Sequence, residues 1–401
     1  MRSIDLSLNQ RIIVLASMAL TLVLVPSFAI AKSDPLYDRL NTAVEEAWAH
    51  QSPGIMVGIE IPGRGRWEFA KGLSDIKKNL PMRKGMSQPV GSVTKTLTAT
   101  LILQLIEKGQ LSLDDEVSLW FPDVPFDHRD KITVRMILNM TSGISDFLGG
   151  APVTWDLLQQ TLLKYPHFPF NAYQMMMFGM ALPSTLSDSP NATNQLGSTV
   201  DYSNTNSLIQ ARIAEKITGK AYGKLLSEKI LKPLRMSHSY LNLHGGRKPP
   251  ATEIYDSSIS PGSLIPVSEW TGAWGDASGS LVSTVRDMQR WAVAFGTGSK
   301  VLNPQTQELR MQACHIHQKS VPEVDYCIGG SRIFDPIKGE IESYFHNGDV
   351  PGASSWVEYF PSTGASLVIL VNQDDPQDGS GPPADRVGPK LRTMLRDLLI
   401  R

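Results

Sequence analysis

The segment from residue 90 to residue 109 reads VGSVTKTLTATLILQLIEKG and joins a dense apolar run to two chemically reactive side chains. The run from Val93 to Lys108 predicts a buried helix, which Gly109 ends. Ser92 stands at the start of this helix, where exposed backbone N–H groups and the helix dipole favour negative charge. Lys95 follows three residues later on the same helical face, so its amino group can reach the Ser92 hydroxyl.

The spacing of this serine and lysine predicts a nucleophile with its own base. A lysine drawn into a cleft loses part of its preference for the charged form and can accept a proton. An adjacent base of this kind activates a serine hydroxyl. The alternative is that Ser92 is a plain helix N-cap, the commonest role of serine at such a position. The same spacing recurs at Ser74 and Lys77, in a polar stretch without an apolar helix behind it, and we expect that serine to lie on the surface.

A second candidate group is Tyr202 with Asn204, on the approach to a helix that we predict from Asn206 to Thr218. A phenol and a carboxamide two residues apart on a loop can point into the same cleft. Tyr202 can then relay a proton to or from Ser92 and the leaving group. Asn204 can hold a substrate amide carbonyl, or it can simply cap the helix.

A third candidate group, His346 with Gly348 and Asp349, follows a predicted strand at residues 341–345. His346 can orient a substrate carboxylate or support the tyrosine. Gly348 allows the substrate to approach the backbone closely. The backbone N–H of Asp349 can complete an oxyanion hole with that of Ser92.

The order of predicted elements indicates the fold class. A helix at Pro35–His50 precedes strands at Ile55–Ile61 and Trp67–Ala70, which a Pro-Gly-Arg-Gly turn joins as a hairpin. A long helical stretch follows, and a helix at Val387–Ile400 ends the chain. Strands return between these two parts, around residues 332–334, 341–345, 354–359 and 365–372. This order predicts an α+β fold in which both chain ends complete one antiparallel sheet, terminal helices flank it and an all-helical lobe is inserted.

Composition and charge exclude several classes of protein. The chain has 401 residues, of which 41% are hydrophobic and 19% charged, as in an ordinary globular protein. The formal net charge of −1 gives no basis for binding nucleic acid. We expect a small-molecule or peptide substrate instead.

The N-terminus has the pattern of an export signal. Arg2 and Arg11 precede an apolar run at Ile12–Val25, and Ala29-Ile30-Ala31 is a small-residue cleavage site. The run is short for a membrane span, so we predict a signal peptide at residues 1–31 and a mature domain at residues 32–401. The mature protein would then be secreted or periplasmic, with no integral membrane span. The alternative is a retained membrane helix.

The chain has two cysteines, Cys314 and Cys327. In an exported protein such a close pair predicts one disulfide that closes a short loop. The alternative is a metal site, because His315 and His317 follow the first cysteine, but the spacing matches no standard zinc site. We therefore predict neither a metal ion nor an organic cofactor.

The order Ser-x-x-Lys, Tyr-x-Asn and His-x-Gly resembles the serine β-lactamase and penicillin-binding-protein superfamily. It is most similar to the branch that holds class C β-lactamases, DD-carboxypeptidases, D-aminopeptidases and related esterases. The resemblance covers about residues 40–375 and implies a DD-peptidase/β-lactamase-like α/β sandwich. Further blocks that look like this family are Leu111-Ser112-Leu113-Asp114-Asp115, Thr141-Ser142-Gly143 and Gly279-Ser280-Leu281-Val282-Ser283-Thr284.

The resemblance also implies roles for the candidate residues. Ser92 is the acylated nucleophile, Lys95 its base partner and Tyr202 the second acid/base group. Asn204 contacts the substrate. His346 takes the place of the lysine in the family's usual third motif, a replacement shared with many peptidases and esterases of this branch.

We therefore expect an exported serine hydrolase that works through an acyl-enzyme on Ser92. A DD-carboxypeptidase or another peptidase of D-amino-acid-containing peptides is the leading hypothesis, with an esterase or a β-lactamase of the same fold as the alternative. A protein of another class, which binds cell-wall fragments without hydrolysing them, is the remaining hypothesis, because fold and function can separate.

Overall fold

The structure is a computed structural model that describes most of the chain. The described residues are 35–49, 52–150, 153–189, 192–260, 262–318, 324–335, 338–376 and 380–399. The predicted signal peptide, residues 1–31, lies outside these ranges, so it stays a prediction. Within them, every helix falls short of what a membrane crossing requires in length or apolar character.

The helices and strands alternate in the order that the sequence predicts, with additional short elements. The strands are β1 (Gly54–Ile61), β2 (Gly65–Asp75), β3 (Leu80–Pro81), β4 (Ser87–Pro89), β5 (Gly149–Gly150), β6 (Val153–Thr154), β7 (Tyr240–Leu241), β8 (Tyr255–Asp256), β9 (Ile265–Pro266), β10 (Leu281–Thr284), β11 (His315–Gln318), β12 (Val324–Cys327), β13 (Gly330–Phe334), β14 (Ile341–Val350), β15 (Ala353–Phe360) and β16 (Ala365–Val371). The helices are α1 (Pro35–Trp48), α2 (Thr94–Glu107), α3 (Val134–Leu138), α4 (Trp155–Lys164), α5 (Ala172–Ala181), α6 (Asn204–Thr218), α7 (Tyr222–Leu226), α8 (Asp276–Gly279), α9 (Val285–Thr297), α10 (Pro304–Gln312) and α11 (Pro383–Leu399).

A nine-stranded sheet with the order β11-β12-β13-β14-β15-β16-β1-β2-β3 forms the centre of the fold. Its neighbouring strands pair antiparallel, and β1 joins β2 through the predicted hairpin, with Ile61 opposite Gly65. The last strand, β16, pairs with the first, β1, from Ile55 opposite Val371 onward. Both chain ends therefore complete one antiparallel sheet, which confirms the predicted fold class.

Helices cover both faces of this sheet. Gly388 of α11 lies against the Trp356 indole of β15, and a Cβ at this glycine would be 2.5 Å from the ring. At the other end of the chain, Trp48 of α1 reaches Gly72 of β2 in the same way. α9 packs against Tyr359, three residues along β15 from Trp356 and hence on the opposite side of the pleat. The terminal helices flank the sheet as the sequence predicts.

The inserted lobe between β4 and β10 is mostly helical, but it holds two helices that the sequence pattern did not reveal. Thr154 is the N-cap of α4, and its hydroxyl accepts the Leu157 N–H. Asn171 is the N-cap of α5, and its side chain accepts the N–H groups of Tyr173 and Gln174. α5 is apolar around most of its circumference, so it lacks the periodic contrast on which sequence-based helix prediction depends.

The third candidate group lies within a strand rather than after one. β14 continues from Ile341 to Val350, so His346, Gly348 and Asp349 are strand residues, and the predicted strand end at residue 345 is wrong. Polar residues and a glycine within the motif interrupted the apolar pattern. Pairing with β15 as far as Val350 nevertheless keeps this backbone extended.

Cys314 and Cys327 are joined by a disulfide across 13 residues of sequence, which ties the end of α10 to β12. Their sulfur atoms are therefore not free to bind a metal ion, which contradicts the alternative of a cysteine-containing metal site. Among the described residues, no group of three or more His, Cys, Asp or Glu side chains is placed to hold a metal ion. The side chain of His317 lies outside the described part of the chain.

Replacing both Cys314 and Cys327 by alanine is expected to lower the free energy of unfolding by about 3 kcal/mol, because a cross-link of this loop length restricts the unfolded chain. Denaturant-induced unfolding of the oxidised wild type and the double variant measures the difference. A reducing agent should destabilise the wild type and leave the double variant unchanged. Two reactive thiols in denatured, unreduced protein would contradict the prediction.

Candidate active site

Ser92 lies in a tight helical turn, Gly91–Val93, that leads directly into α2. The residue that caps α2 is Val93, so Ser92 is not the N-cap of this helix. The Thr94 hydroxyl donates to the Gly91 carbonyl at 2.7 Å and secures the turn from the helix side. Because α2 is buried along most of its length, the serine stands on a rigid support.

Lys95 is the immediate neighbour of the Ser92 side chain. Its Nζ lies 2.9 Å from the Ser92 Oγ and 2.7 Å from the Ser278 carbonyl oxygen of α8. The residue is 1% exposed. Burial lowers the pKa of Lys95 to about 7, against a smaller opposite effect of the Asp146 carboxylate. Near neutral pH a large fraction of this lysine is therefore uncharged and able to accept a proton from Ser92.

The Tyr202 hydroxyl is buried beside this pair and has no hydrogen-bond partner among the described residues. Its ring centroid lies 4.9 Å from the Lys95 Nζ. Burial and the neighbouring Tyr326 raise the pKa of Tyr202 well above its usual value, although the nearby Ser92 side chain lowers it to a smaller extent. The phenol therefore keeps its proton at neutral pH and is suited to donate it.

Asn204 is the first residue of α6, and Ser203 occupies the cap position, so Asn204 is not the helix cap. Its side-chain Nδ2 donates to the Asp146 Oδ2 at 2.7 Å, and its backbone N–H donates to the same oxygen at 3.1 Å. The other Asp146 oxygen accepts the backbone N–H of Leu148 at 2.9 Å. Asp146 therefore fixes the position of the Asn204 carboxamide.

His346 is 4% exposed and forms a group of three rings with Tyr202 and Tyr326. Its Nδ1 lies 2.5 Å from the Asn347 carbonyl oxygen, which can only accept, so this nitrogen carries hydrogen. In the neutral ring Nε2 is then the acceptor, and it faces the Tyr326 hydroxyl at 3.4 Å. Both ring nitrogens thus have partners inside the protein.

The backbone amides of Ser92 and Asp349 lie on two segments that pack without a side chain between them. A Cβ on Gly348 would be 2.1 Å from the Val90 carbonyl oxygen and 3.0 Å from the Ser92 amide nitrogen. Gly91, with a φ of +52°, lies against the Asp349 amide nitrogen, which is 2.8 Å from where its Cβ would be. The predicted oxyanion hole requires the amides of Ser92 and Asp349 to lie close together, and this contact between the two backbone segments meets that requirement.

The Asp349 side chain lies near three other carboxylates, those of Asp374, Asp375 and Asp385. Its Oδ1 accepts the Asp375 N–H at 3.2 Å. Burial and the nearby carboxylates of Asp374 and Asp385 raise the pKa of Asp349 well above its usual value. Both effects favour the protonated form of this carboxyl group and weaken its negative charge beside the proposed oxyanion site.

The second serine–lysine pair, Ser74 with Lys77, has different surroundings from Ser92 and Lys95. Ser74 is buried at 2% exposure, so the expectation that it lies on the surface is wrong. β2 continues to Asp75 and pairs with β3, which covers the serine. Its hydroxyl donates to the carbonyl oxygens of Leu80 and Pro81 at 3.3 and 3.1 Å. Ser74 is therefore part of the sheet edge and has no base beside it.

The structure brings together residues that the sequence analysis named and others that it missed. Ser92, Lys95 and Tyr202 are neighbours, as predicted. Asp146 was missed although it lies three residues after the Thr141-Ser142-Gly143 block, because that block ends in a loop without periodicity. Tyr326 was missed because a tyrosine before a cysteine in a strand gives no signal of its own.

Comparison with known proteins finds relatives over most of the chain. The chain is 25% identical over 342 residues to penicillin-binding protein 4* of Bacillus subtilis, a match that covers 81% of this chain and 69% of the relative. It is 22% identical over 325 residues to protein flp of Staphylococcus aureus, which covers 80% of this chain but only 59% of that relative's length.

Solved structures of related hydrolases are also similar to this chain. A D-stereospecific amidohydrolase from Streptomyces sp. is 27% identical, with a TM-score of 0.73 and coverage of 84% of this chain and 94% of that chain. The D-amino acid amidase from Ochrobactrum anthropi SV3 is 19% identical, with a TM-score of 0.75 and coverage of 90% and 99%. At that lower identity the likeness shows the fold alone.

The model of the Beta-lactamase family matches residues 40–387, which include all of the candidate residues described above. The fold, the relatives and this match agree on a serine hydrolase related to β-lactamases and penicillin-binding proteins. The chain belongs to the Beta-lactamase family.

Proposed function

We propose that the protein is an exported hydrolase that cleaves amide bonds at D-amino-acid residues through an acyl-enzyme on Ser92. The observation that carries the proposal is the buried Lys95 amine, 2.9 Å from the Ser92 Oγ and with a pKa lowered to about 7. A protein that only bound wall fragments would gain nothing from an amine that is prepared to accept a proton. A similar amidohydrolase described as D-stereospecific supports the substrate class.

In the acylation step, Lys95 acts first as the base and Tyr202 then acts as the acid. Uncharged Lys95 accepts the proton of the Ser92 hydroxyl as its Oγ attacks the substrate carbonyl carbon. The negative charge that forms on the carbonyl oxygen receives hydrogen bonds from the N–H groups of Ser92 and Asp349. When the intermediate collapses, the amide nitrogen takes a proton from the Tyr202 phenol and leaves as an amine. The Tyr202 phenolate then takes up the proton that Lys95 received from Ser92, so both groups return to their starting states.

Deacylation reverses the roles with water in place of the serine. A water molecule attacks the ester carbonyl and loses a proton to uncharged Lys95. When the intermediate collapses, the Ser92 oxygen leaves, the acid product forms, and protonated Lys95 returns the proton to Ser92. His346 supports Tyr202 within the group of three rings, since both of its ring nitrogens face groups of the protein. Binding of a substrate carboxylate by His346 remains the alternative role.

A substrate panel tests the proposed function. The purified protein is assayed on a D-amino-acid amide and its L-enantiomer, a D-Ala-D-Ala peptide, a short-chain ester and a cephalosporin. We expect repeated turnover of a D-amino-acid substrate with at least tenfold preference over the L-enantiomer. Turnover of the cephalosporin or the ester alone would favour a β-lactamase or an esterase, and a single stoichiometric burst on every substrate would identify a binding protein.

Covalent labelling is expected on Ser92 alone. A fluorophosphonate probe should modify this residue in the wild type, as mapped by peptide mass spectrometry, and Ser92→Ala should lose the label. Ser74→Ala is the matched control and should keep it, because the Ser74 hydroxyl is bonded to two strand carbonyls. A label on Ser74, or an undiminished label on the Ser92 variant, would refute the assignment.

The lowered pKa of Lys95 predicts how the catalytic activity changes with pH. The kcat/KM for an uncharged ester should rise with pH through about 7 and then level off, because the base acts only when it is uncharged. Lys95→Met should reduce kcat/KM by about 10³-fold.

The same variant should be more stable than the wild type. The pKa of Lys95 is lower in the folded than in the unfolded protein. Folding must therefore bury a charged or newly deprotonated amine, which lowers the free energy of unfolding by its full amount below about pH 7. This loss of stability disappears as the pH rises from about 7 toward the usual pKa of lysine. Lys95→Met should therefore raise the melting temperature by several degrees at pH 6 and by less at pH 9. Lys77→Met, at an exposed position, is the control. An equal melting temperature of Lys95→Met and wild type at pH 6 would show that the lysine is not destabilised by burial.

A further inference from the structure

Asp146 places a carboxylate at the edge of the candidate active site, and the proposed mechanism gives it no chemical step. It lies in the loop between α3 and β5 and is half-buried. Its Oδ2 receives two hydrogen bonds from Asn204, and its Oδ1 receives one from the Leu148 N–H. A carboxylate has about four acceptor positions, so Oδ1 retains capacity for a further donor.

The negative charge of Asp146 has no ion-pair partner within the described part of the chain. It does act on the reacting groups, since it raises the pKa of both Lys95 and Tyr202. Catalysis requires Lys95 in its uncharged form, and in that form the amine no longer balances the carboxylate. The neighbouring site then has an excess of negative charge, which favours a cationic group on the substrate.

The orientation of Asn204 adds a second acceptor. A carboxylate accepts hydrogen bonds and cannot donate them, so the 2.7 Å contact with Asp146 identifies the Asn204 atom on that side as the amide nitrogen. The Asn204 Oδ1 therefore points elsewhere, and it makes no hydrogen bond with a described residue. Asp146 and Asn204 together offer two oxygen acceptors, one of them charged, to a group with several N–H donors.

We propose that Asp146, with the Asn204 Oδ1, binds the α-ammonium group of a substrate whose adjacent carbonyl is attacked by Ser92. This inference rests on the proposed function and narrows its substrate class to amides, peptides or esters of amino acids with a free amino terminus. N-acylated substrates, which lack the cation, are then poor substrates.

A pair of esters measures this selectivity without requiring amidase activity. The probes are D-phenylalanine methyl ester and its N-acetyl derivative, which differ in the positive charge beside the scissile carbonyl. The ratio of their kcat/KM values cancels effects on Ser92 and Lys95 that both substrates share. For the wild type at pH 6.5 to 7, we expect the free amine to be preferred at least tenfold.

Asp146→Asn should lower this ratio at least tenfold, mainly by reducing kcat/KM for the free amine. Asp127→Asn is the matched control, because the exposed Asp127 also accepts a backbone N–H, that of Ser184 at 2.9 Å, and loses the same charge. The control should keep the wild-type ratio. Equal loss on both esters in Asp146→Asn would show that the residue only positions Asn204 and would overturn the proposal. A wild-type preference for the N-acetyl ester would overturn it even if the variant does not fold.

The same experiment separates the two proposals. D-Phenylalanine amide is assayed in parallel, and failure to hydrolyse it while the ester ratio behaves as expected would refute the proposed amide hydrolysis and leave the role of Asp146 supported. Hydrolysis of the amide together with an ester ratio near one would support the proposed amide hydrolysis and refute the role of Asp146.

Discussion

The amino group of Lys95 is buried between the Ser92 hydroxyl and the Ser278 carbonyl. Neither partner carries a formal charge, so nothing in direct contact offsets the cost of taking an ammonium out of water. The lysine responds by releasing its proton more readily. In the proposed mechanism this shift makes the serine a usable nucleophile. Because one base is then sufficient, Tyr202, whose pKa is raised by its own burial, can serve as the acid.

The geometry around this amine is assembled from parts of the chain that are far apart in sequence. Ser92 lies in the turn that leads into α2, and the Ser278 carbonyl belongs to α8. An ion pair between Arg212 and Asp276 at 2.7 Å ties α8 to α6. The second proposed oxyanion donor belongs to β14, which can lie against the Ser92 turn because residue 348 has no side chain. The large sheet and the helical lobe thus act as two rigid supports, and the reacting atoms lie where they touch.

The sequence was sufficient for features that depend on local spacing or on the order of elements. Ser92 and Lys95 are three residues apart where a helical turn leads into α2, so their contact could be predicted directly. The joining of both chain ends in one sheet followed from the return of predicted strands near the C-terminus. Asp146, Tyr326 and the Ser278 carbonyl each contact a residue of the site that is more than fifty positions away in sequence, and no local pattern marks such contacts. The burial of Ser74 was missed for a related reason, since it depends on the pairing of β2 with the two-residue strand β3.

The pairing of β1 with β16 also sets the order in which the molecule can be completed. β1 follows the described N-terminal helix, whereas its partner at residues 365–371 is synthesised only after the whole helical lobe. Until that partner arrives, β1 and β2 form a hairpin with an open edge, which is marginally stable alone and presents unpaired backbone groups. β14, which holds the second proposed oxyanion donor, is likewise synthesised after the helical lobe. A nascent chain of this protein therefore carries the proposed nucleophile long before it carries a complete site, so we expect hydrolytic activity only after residues 365–371 have been synthesised.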